Sequence, residues 1–119
     1  MKKILLIEDE ILIQKSLKKL LEAKGAIVSV ESSGKEAIET IFQNDFDKII
    51  CDLMLKDITG FDVIEESKKR YTIEEIGRLF VIITAYSSQQ VLDKANGYGC
   101  TVLSKPFDDM KDALKTFME

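Results

Sequence analysis

Three stretches of the chain are apolar without a break: Ile4–Ile7, Ile49–Cys51 and Leu79–Ile83. Runs this short, with no polar alternation, describe strands covered on both faces, which is the environment of a parallel sheet. Parallel neighbours need crossover connections, usually helical, and the intervening sequence supplies them. Ile13, Leu17, Leu20 and Leu21 share one helical face, and Gly25 follows as a stop. Ser33-Gly34-Lys35-Glu36 has the form of a capping box opening a second helix, with Ala37, Ile38, Ile41 and Phe42 turned inward. Phe61, Val63 and Ile64 begin a third helix that fades near Arg70. The charged connection Tyr71–Arg78 contains Ile73 and Ile76 and has room for one extra helical turn. Ser87 or Ser88 can cap a fourth helix carrying Val91, Leu92 and Ala95, closed by Gly97 and Gly99. Asp108 can cap a last helix with Met110, Ala113, Leu114 and Phe117 at i, i+3, i+4 and i+7.

Two weaker runs, Ala26–Val30 with Ser29 inside it and the short Cys100–Leu103, complete a strand–helix alternation repeated five times. The expected fold is α/β: a (βα)5 doubly wound, five-stranded parallel sheet with right-handed crossovers. The weaker strands belong at the edges, which gives the order 2-1-3-4-5. Residues 1–119 are expected to form a single domain, long enough for a real core.

Composition narrows the function. No apolar run approaches the roughly 20 residues that span a bilayer. Met1-Lys2-Lys3 and the apolar run after it start like a signal peptide, but Glu8, Asp9 and Glu10 interrupt too early, and no small-residue cleavage site follows. The chain reads as cytoplasmic. A net charge of −4 with no basic block argues against nucleic-acid binding by this domain. Cys51 and Cys100 lie in or beside strand patterns and read as small core residues in a reducing compartment. There is no histidine, so any histidine chemistry must come from another chain.

The carboxyl ends of the strands are where open α/β sheets collect their reactive groups. Here they carry Glu8 and Asp9, then Asp52, then Thr84, then Lys105. Taken singly, each has an ordinary reading: Asp52 as a loop cap, Glu8-Asp9 as an acidic first turn of a helix, Thr84 as a turn residue, Lys105 as a surface lysine. Their occurrence in order at four strand ends is what argues otherwise. In the expected strand order the first and third strands are neighbours, about 4.8 Å apart, which gathers three carboxylates. Bare, they would repel one another. An all-oxygen site of this kind suits Mg²⁺. Thr84 offers a hydroxyl and Lys105 a positive charge, an arrangement suited to phosphoryl transfer onto Asp52 as nucleophile.

At these residues the chain resembles the response-regulator receiver domains (CheY-like, of flavodoxin-like topology), the phosphoacceptor modules of two-component signalling. The matching motifs are Ile4-Leu5-Leu6-Ile7-Glu8-Asp9-Glu10, Ile50-Cys51-Asp52-Leu53-Met54-Leu55 with Gly60, Ile82-Ile83-Thr84-Ala85, and Ser104-Lys105-Pro106-Phe107. The resemblance implies that Asp52 accepts a phosphoryl group from a phosphohistidine on a sensor histidine kinase or histidine phosphotransfer protein, and that a conformational change then signals to a downstream protein. It implies Mg²⁺ held by Asp9 directly, by Glu8 mainly through water, by Asp52 and by the backbone carbonyl of Met54. It implies that Thr84 and Lys105 bind phosphoryl oxygens, that Thr84 moves on activation, and that the Lys105–Pro106 peptide is cis. Such a module is a phosphoacceptor that promotes its own phosphorylation and dephosphorylation, not an enzyme on a separate substrate. No effector domain follows the last helix, so the expectation is a stand-alone receiver or a piece of a longer regulator.

The chain departs from the family pattern in three places. Lys56 stands where the loop after Asp52 usually has proline. Glu8 replaces the commoner Asp and has a longer reach. Val102 stands where the family commonly has Tyr or Phe, so output is expected to run through the backbone and the Ala85–Ser88 loop. Tyr86 and Met54, each two residues past a site residue, are bulky and weakly basic, which implies slow self-dephosphorylation. Ile11, just past the acids, is a docking point for a histidine-bearing helix or else half-buried against the sheet. Three other readings fit worse. An aspartyl-phosphate phosphohydrolase needs an acid where Met54 stands. In a flavin carrier the acids after the first strand would repel the phosphate. A degenerate, unphosphorylated interaction module would not need all the site residues.

Overall fold

The computed structural model describes residues 1–119. Five strands, β1 (Lys3–Ile7), β2 (Ile27–Glu31), β3 (Lys48–Asp52), β4 (Phe80–Thr84) and β5 (Thr101–Ser104), form one parallel sheet in the order β2-β1-β3-β4-β5. Six helices connect and cover it: α1 (Ile11–Ala23), α2 (Gly34–Gln43), α3 (Gly60–Ser67), α4 (Ile73–Leu79), α5 (Gln89–Tyr98) and α6 (Met110–Met118).

The unbroken apolar runs are explained by two cores, one on each face of the sheet. Leu5, Ile7, Ile49, Cys51, Phe80 and Ile82 point to the side covered by α2, α3, α4 and α5, against Ala37, Ile41, Val63, Ile64, Ile76 and Ala95. Their alternate neighbours Ile4, Leu6, Ile50, Val81 and Ile83 pack with Leu17 and Leu21 of α1 and with Ala113, Leu114 and Phe117 of α6. Every residue of β4 is buried. Each large side chain so covered contributes roughly 1.5–3 kcal/mol, and the sum fixes the strand register. A slip by one residue would exchange the two cores.

Four local expectations are corrected. The Tyr71–Arg78 connection is a full helix, α4, not a single turn. Thr72 and Glu75 close a reciprocal capping box at its start, at 3.2 and 3.0 Å, and Ile76 is fully buried. Leu79 consequently ends a helix, and the strand begins at Phe80, opposite Ile49. At α6 the cap is Asp109, whose carboxylate accepts from Lys111 and Asp112, not Asp108. Phe42 is 41% exposed, because α2 buries the stripe Gly34, Ala37 and Ile41 and Phe42 lies beside it. The Ser33 side chain caps the Glu36 amide, and Ser88 is the cap of α5. The Lys105–Pro106 peptide is cis.

Gly60 shows how closely α3 approaches the end of β3. A Cβ there would stand 3.0 Å from the Asp52 carbonyl oxygen and 3.2 Å from the Leu53 Cα. Neither backbone atom can swing aside. Gly97, inside α5, has open space around it. Gly60→Ala is therefore expected to lower stability by about 1–3 kcal/mol through overpacking. Gly97→Ala should raise it by roughly 0.5–1 kcal/mol through helix propensity. Urea midpoints of the two variants measure these opposite signs.

Candidate functional site

The strand ends meet at one rim of the sheet. β1 and β3 are hydrogen-bonded neighbours, with Ile7 opposite Cys51, so Glu8 and Asp9 emerge beside Asp52. One carboxylate oxygen from each of Glu8, Asp9 and Asp52 lies within 4.8 Å of the other two. Glu8 and Asp52 are buried, and Asp9 is partly so. From the opposite side comes Lys105, on the loop after β5. Its Nζ stands 3.0 Å from Glu8 Oε1 and 3.4 Å from Asp52 Oδ1. The backbone ties that loop down, because Lys105 N–H donates to the Thr84 carbonyl at 2.8 Å.

Thr84 ends β4 and is fully buried. Its hydroxyl is engaged with the loop that follows: it accepts from the Tyr86 amide at 2.9 Å and donates to the Tyr86 carbonyl at 3.2 Å. Met54 opens the loop between β3 and α3 and forms an isolated antiparallel bridge with Thr59. Met54 and Tyr86 are 53% and 68% exposed. Ile11 is exposed rather than half-buried against the sheet. The structure therefore brings Glu8, Asp9, Asp52 and Lys105 together, while Thr84 ends the neighbouring strand with its hydroxyl turned to the Tyr86 backbone. What sequence reasoning missed is the Glu8–Lys105 pair, whose members lie 97 positions apart. The glutamate's longer reach was the available signal.

Three carboxylates facing one ammonium leave negative charge in excess. The effect falls on Glu8. Burial, then the Asp52 hydrogen bond and charge, push its carboxyl up to about 7, and the Lys105 contacts only partly offset this. Burial works against the Lys105 charge, but the Glu8 hydrogen bond and the Asp52 and Glu8 charges outweigh it and hold its pKa above the ordinary lysine value. Hard oxygen donors with uncompensated charge form a donor set that fits a small divalent cation such as Mg²⁺.

The family profile of the response regulator receiver domain matches residues 4–116. The chain is a response regulator receiver domain. The receiver is 31% identical over 109 residues to the probable transcriptional regulator ycf29 of Pyropia yezoensis, covering 89% of this chain and 47% of that protein. It is 35% identical over 103 residues to the aerobic respiration control sensor protein ArcB of Escherichia coli, covering 87% of this chain and 13% of that protein. It thus spans about half or less of these two relatives. Among solved structures, the non-phosphorylated HemR receiver domain of Leptospira biflexa superposes with a TM-score of 0.87 at 29% identity, covering 99% of this chain and 92% of that one. No helix of the receiver is long and apolar enough to cross a membrane.

The Glu8 shift sets the pH response. Its folded pKa lies above the ordinary 4.5, so between these values the folded state holds a proton that the unfolded chain has released. Stability therefore falls as pH rises through this window. In the presence of a chelator, the protein should have a lower urea midpoint at about pH 8 than at about pH 5. Glu8→Gln, which cannot ionise, should remove most of that slope.

Proposed function

We propose that residues 1–119 act as one phosphoacceptor unit, with Asp52 taking a phosphoryl group from a phosphohistidine of a sensor histidine kinase or a histidine phosphotransfer protein. The observation that carries this reading is the Asp52 carboxylate held between two acids and the Lys105 ammonium at the end of a buried strand. An Asp52 oxygen forms the new bond to phosphorus. The bond from phosphorus to the partner's imidazole nitrogen breaks, and the imidazole keeps the electron pair and takes a proton. Lys105 holds a phosphoryl oxygen by charge, and the Thr84 hydroxyl can donate to another once released from Tyr86. Glu8, Asp9, Asp52 and the Met54 carbonyl would hold Mg²⁺, which when bound supplies charge neutralisation for the phosphoryl oxygens. The unit promotes its own phosphorylation and dephosphorylation and is not an enzyme acting on a separate substrate.

The partner face follows from the rim. Ile11 and Leu12 are exposed beside the acids. An open apolar pocket of about 350 Å³ lies behind them, lined by Leu12, Ile13, Leu17, Phe107 and Met110 among others. A histidine-bearing helix seated there would bring its ring to Asp52. The net charge of −4 does not favour nucleic acid as a direct ligand. Cys51 and Cys100, buried and unpaired, fit a reducing compartment such as the cytoplasm. The downstream target is another protein; because Val102 on β5 has no ring to swing, the signal reaches it through the backbone and the Ala85–Ser88 loop instead.

Incubation with acetyl phosphate and Mg²⁺ should add the mass of one phosphoryl group to the wild type and none to Asp52→Asn, read by intact mass spectrometry. The same phosphorylated sample should shift the amides of 85–88. An Asp52→Asn protein that still gains the mass would sink the assignment, and unmoved amides in that loop would sink the output route.

Tyr86 and Met54 flank the approach of a water to phosphorylated Asp52, and neither is a strong base. We expect a persistent phosphoryl group and a faster loss in Tyr86→Ala, timed by mass spectrometry after desalting. Equal or longer persistence in the variant would refute the shielding argument.

A further inference from the structure

The loop between β3 and α3 carries Met54 and contains no proline between Leu53 and Thr59, so its shape must be fixed by contacts. At its ends the backbone does this: Leu53 N–H donates to the Ile83 carbonyl at 2.9 Å and Gly60 N–H to the Leu53 carbonyl at 2.8 Å. At its middle a side chain does it. The two carboxylate oxygens of Asp57 accept from the backbone amides of Gly34 and Lys35, each at 3.0 Å. These are the first two amides of α2, which have no partner within the helix. The Ser33 hydroxyl takes the third, Glu36, and the Ser33 carbonyl takes the fourth, Ala37. The N-terminus of α2 is thus completed by a residue more than 20 positions downstream.

The contact is fitted as well as bonded. A Cβ at Gly34 would stand 2.4 Å from Ile58 Cγ1 and 3.2 Å from Leu55 Cδ1. The loop therefore lies directly on the first turn of α2, in a space open only because residue 34 has no side chain. The negative charge also faces the positive end of the helix dipole. Burial works against the Asp57 charge, but backbone amides, those of Gly34 and Lys35 first, together outweigh it and hold the carboxyl below its ordinary value.

We propose that Asp57 is a positioning residue for the cation site: by bridging to α2 it holds the β3–α3 loop, and with it the Met54 carbonyl, in place beside the acid cluster. This rests on the cation reading given above. Asp57 is not a ligand. It acts through the loop, as supporting groups around a metal commonly do.

The test is a Mg²⁺ titration of isotope-labelled wild type, Asp57→Ala, Asp57→Asn and Ser33→Ala, followed by amide shifts, with hydrogen exchange of the metal-free proteins. Asp57→Ala should bind Mg²⁺ about tenfold more weakly, and the amides of Gly34, Lys35 and 53–59 should exchange faster. Asp57→Asn loses the charge but keeps an acceptor for one amide, and should retain most of the affinity. Ser33→Ala removes a cap from the same helix end without touching the loop; its melting temperature should fall while its Mg²⁺ affinity stays at the wild-type value. Wild-type affinity in Asp57→Ala would overturn the inference. So would equal weakening in Asp57→Asn, which would make the effect one of charge alone, or equal weakening in Ser33→Ala, which would make it one of helix stability. If the wild type binds no Mg²⁺, the cation reading and this inference fall together.

Discussion

The ammonium of Lys105, wedged between the carboxylates of Glu8 and Asp52 at one end of the sheet, is the contact around which the groups of the acid pocket are arranged. Charges at such depth are costly unless paired, and removing one partner leaves the other exposed to that cost. One ammonium cannot neutralise both acids and the nearby Asp9. Burial first, and then the Asp52 hydrogen bond and charge, push the Glu8 carboxyl up to about 7. A buried ion pair of this kind is a poor source of stability. Its presence at the point where three chain segments converge is of the kind that accompanies a functional site, which is the reading proposed above. The two apolar cores, one on each face, provide the rigidity that keeps three carboxylates together despite their repulsion.

The strands were legible because their signal is unambiguous. Ile4–Ile7 and Ile49–Cys51 contain no polar residue, so no helical or half-exposed alternative competes. Strand order followed from the relative polarity of the edges, where Ser29 and the short fifth strand stand out. Short helices were harder to read. In α4 only Ile73, Ile76 and Leu79 are large and apolar, and Ile73 is exposed. The readable signal was instead Thr72 with Glu75 three residues later, the reciprocal cap that the structure shows closed. The shift from Asp108 to Asp109 reflects two adjacent residues of equal capping ability, between which only the packing of α6 decides.

At the rim, sequence reasoning could bring the strand ends together because all strands of a parallel sheet deliver their carboxyl ends to one side. It could not say which acid Lys105 would prefer. That depends on side-chain length and loop direction, and the longer glutamate takes the shorter contact, 3.0 Å against 3.4 Å for Asp52. Nor could it foresee Asp57 reaching the amides of Gly34 and Lys35. A carboxylate in a loop gives no sign of the helix it will cap when the two are distant in sequence. The local half of that cap, Ser33 with Glu36, was visible for the opposite reason.

The position of Thr84 constrains how any change at Asp52 can travel. Its hydroxyl is committed to both the amide and the carbonyl of Tyr86. On the reading proposed here, a phosphoryl oxygen that recruits this hydroxyl as a donor must take it from the Tyr86 carbonyl. A hydroxyl has one proton to give, so the exchange is obligatory rather than additive. The freed carbonyl and its peptide then have to find new partners two residues before Ser88, the cap of α5. On that reading the loop between Thr84 and α5 is coupled to the acid pocket through a single proton, whether the residue at 102 is aromatic or, as in this chain, valine.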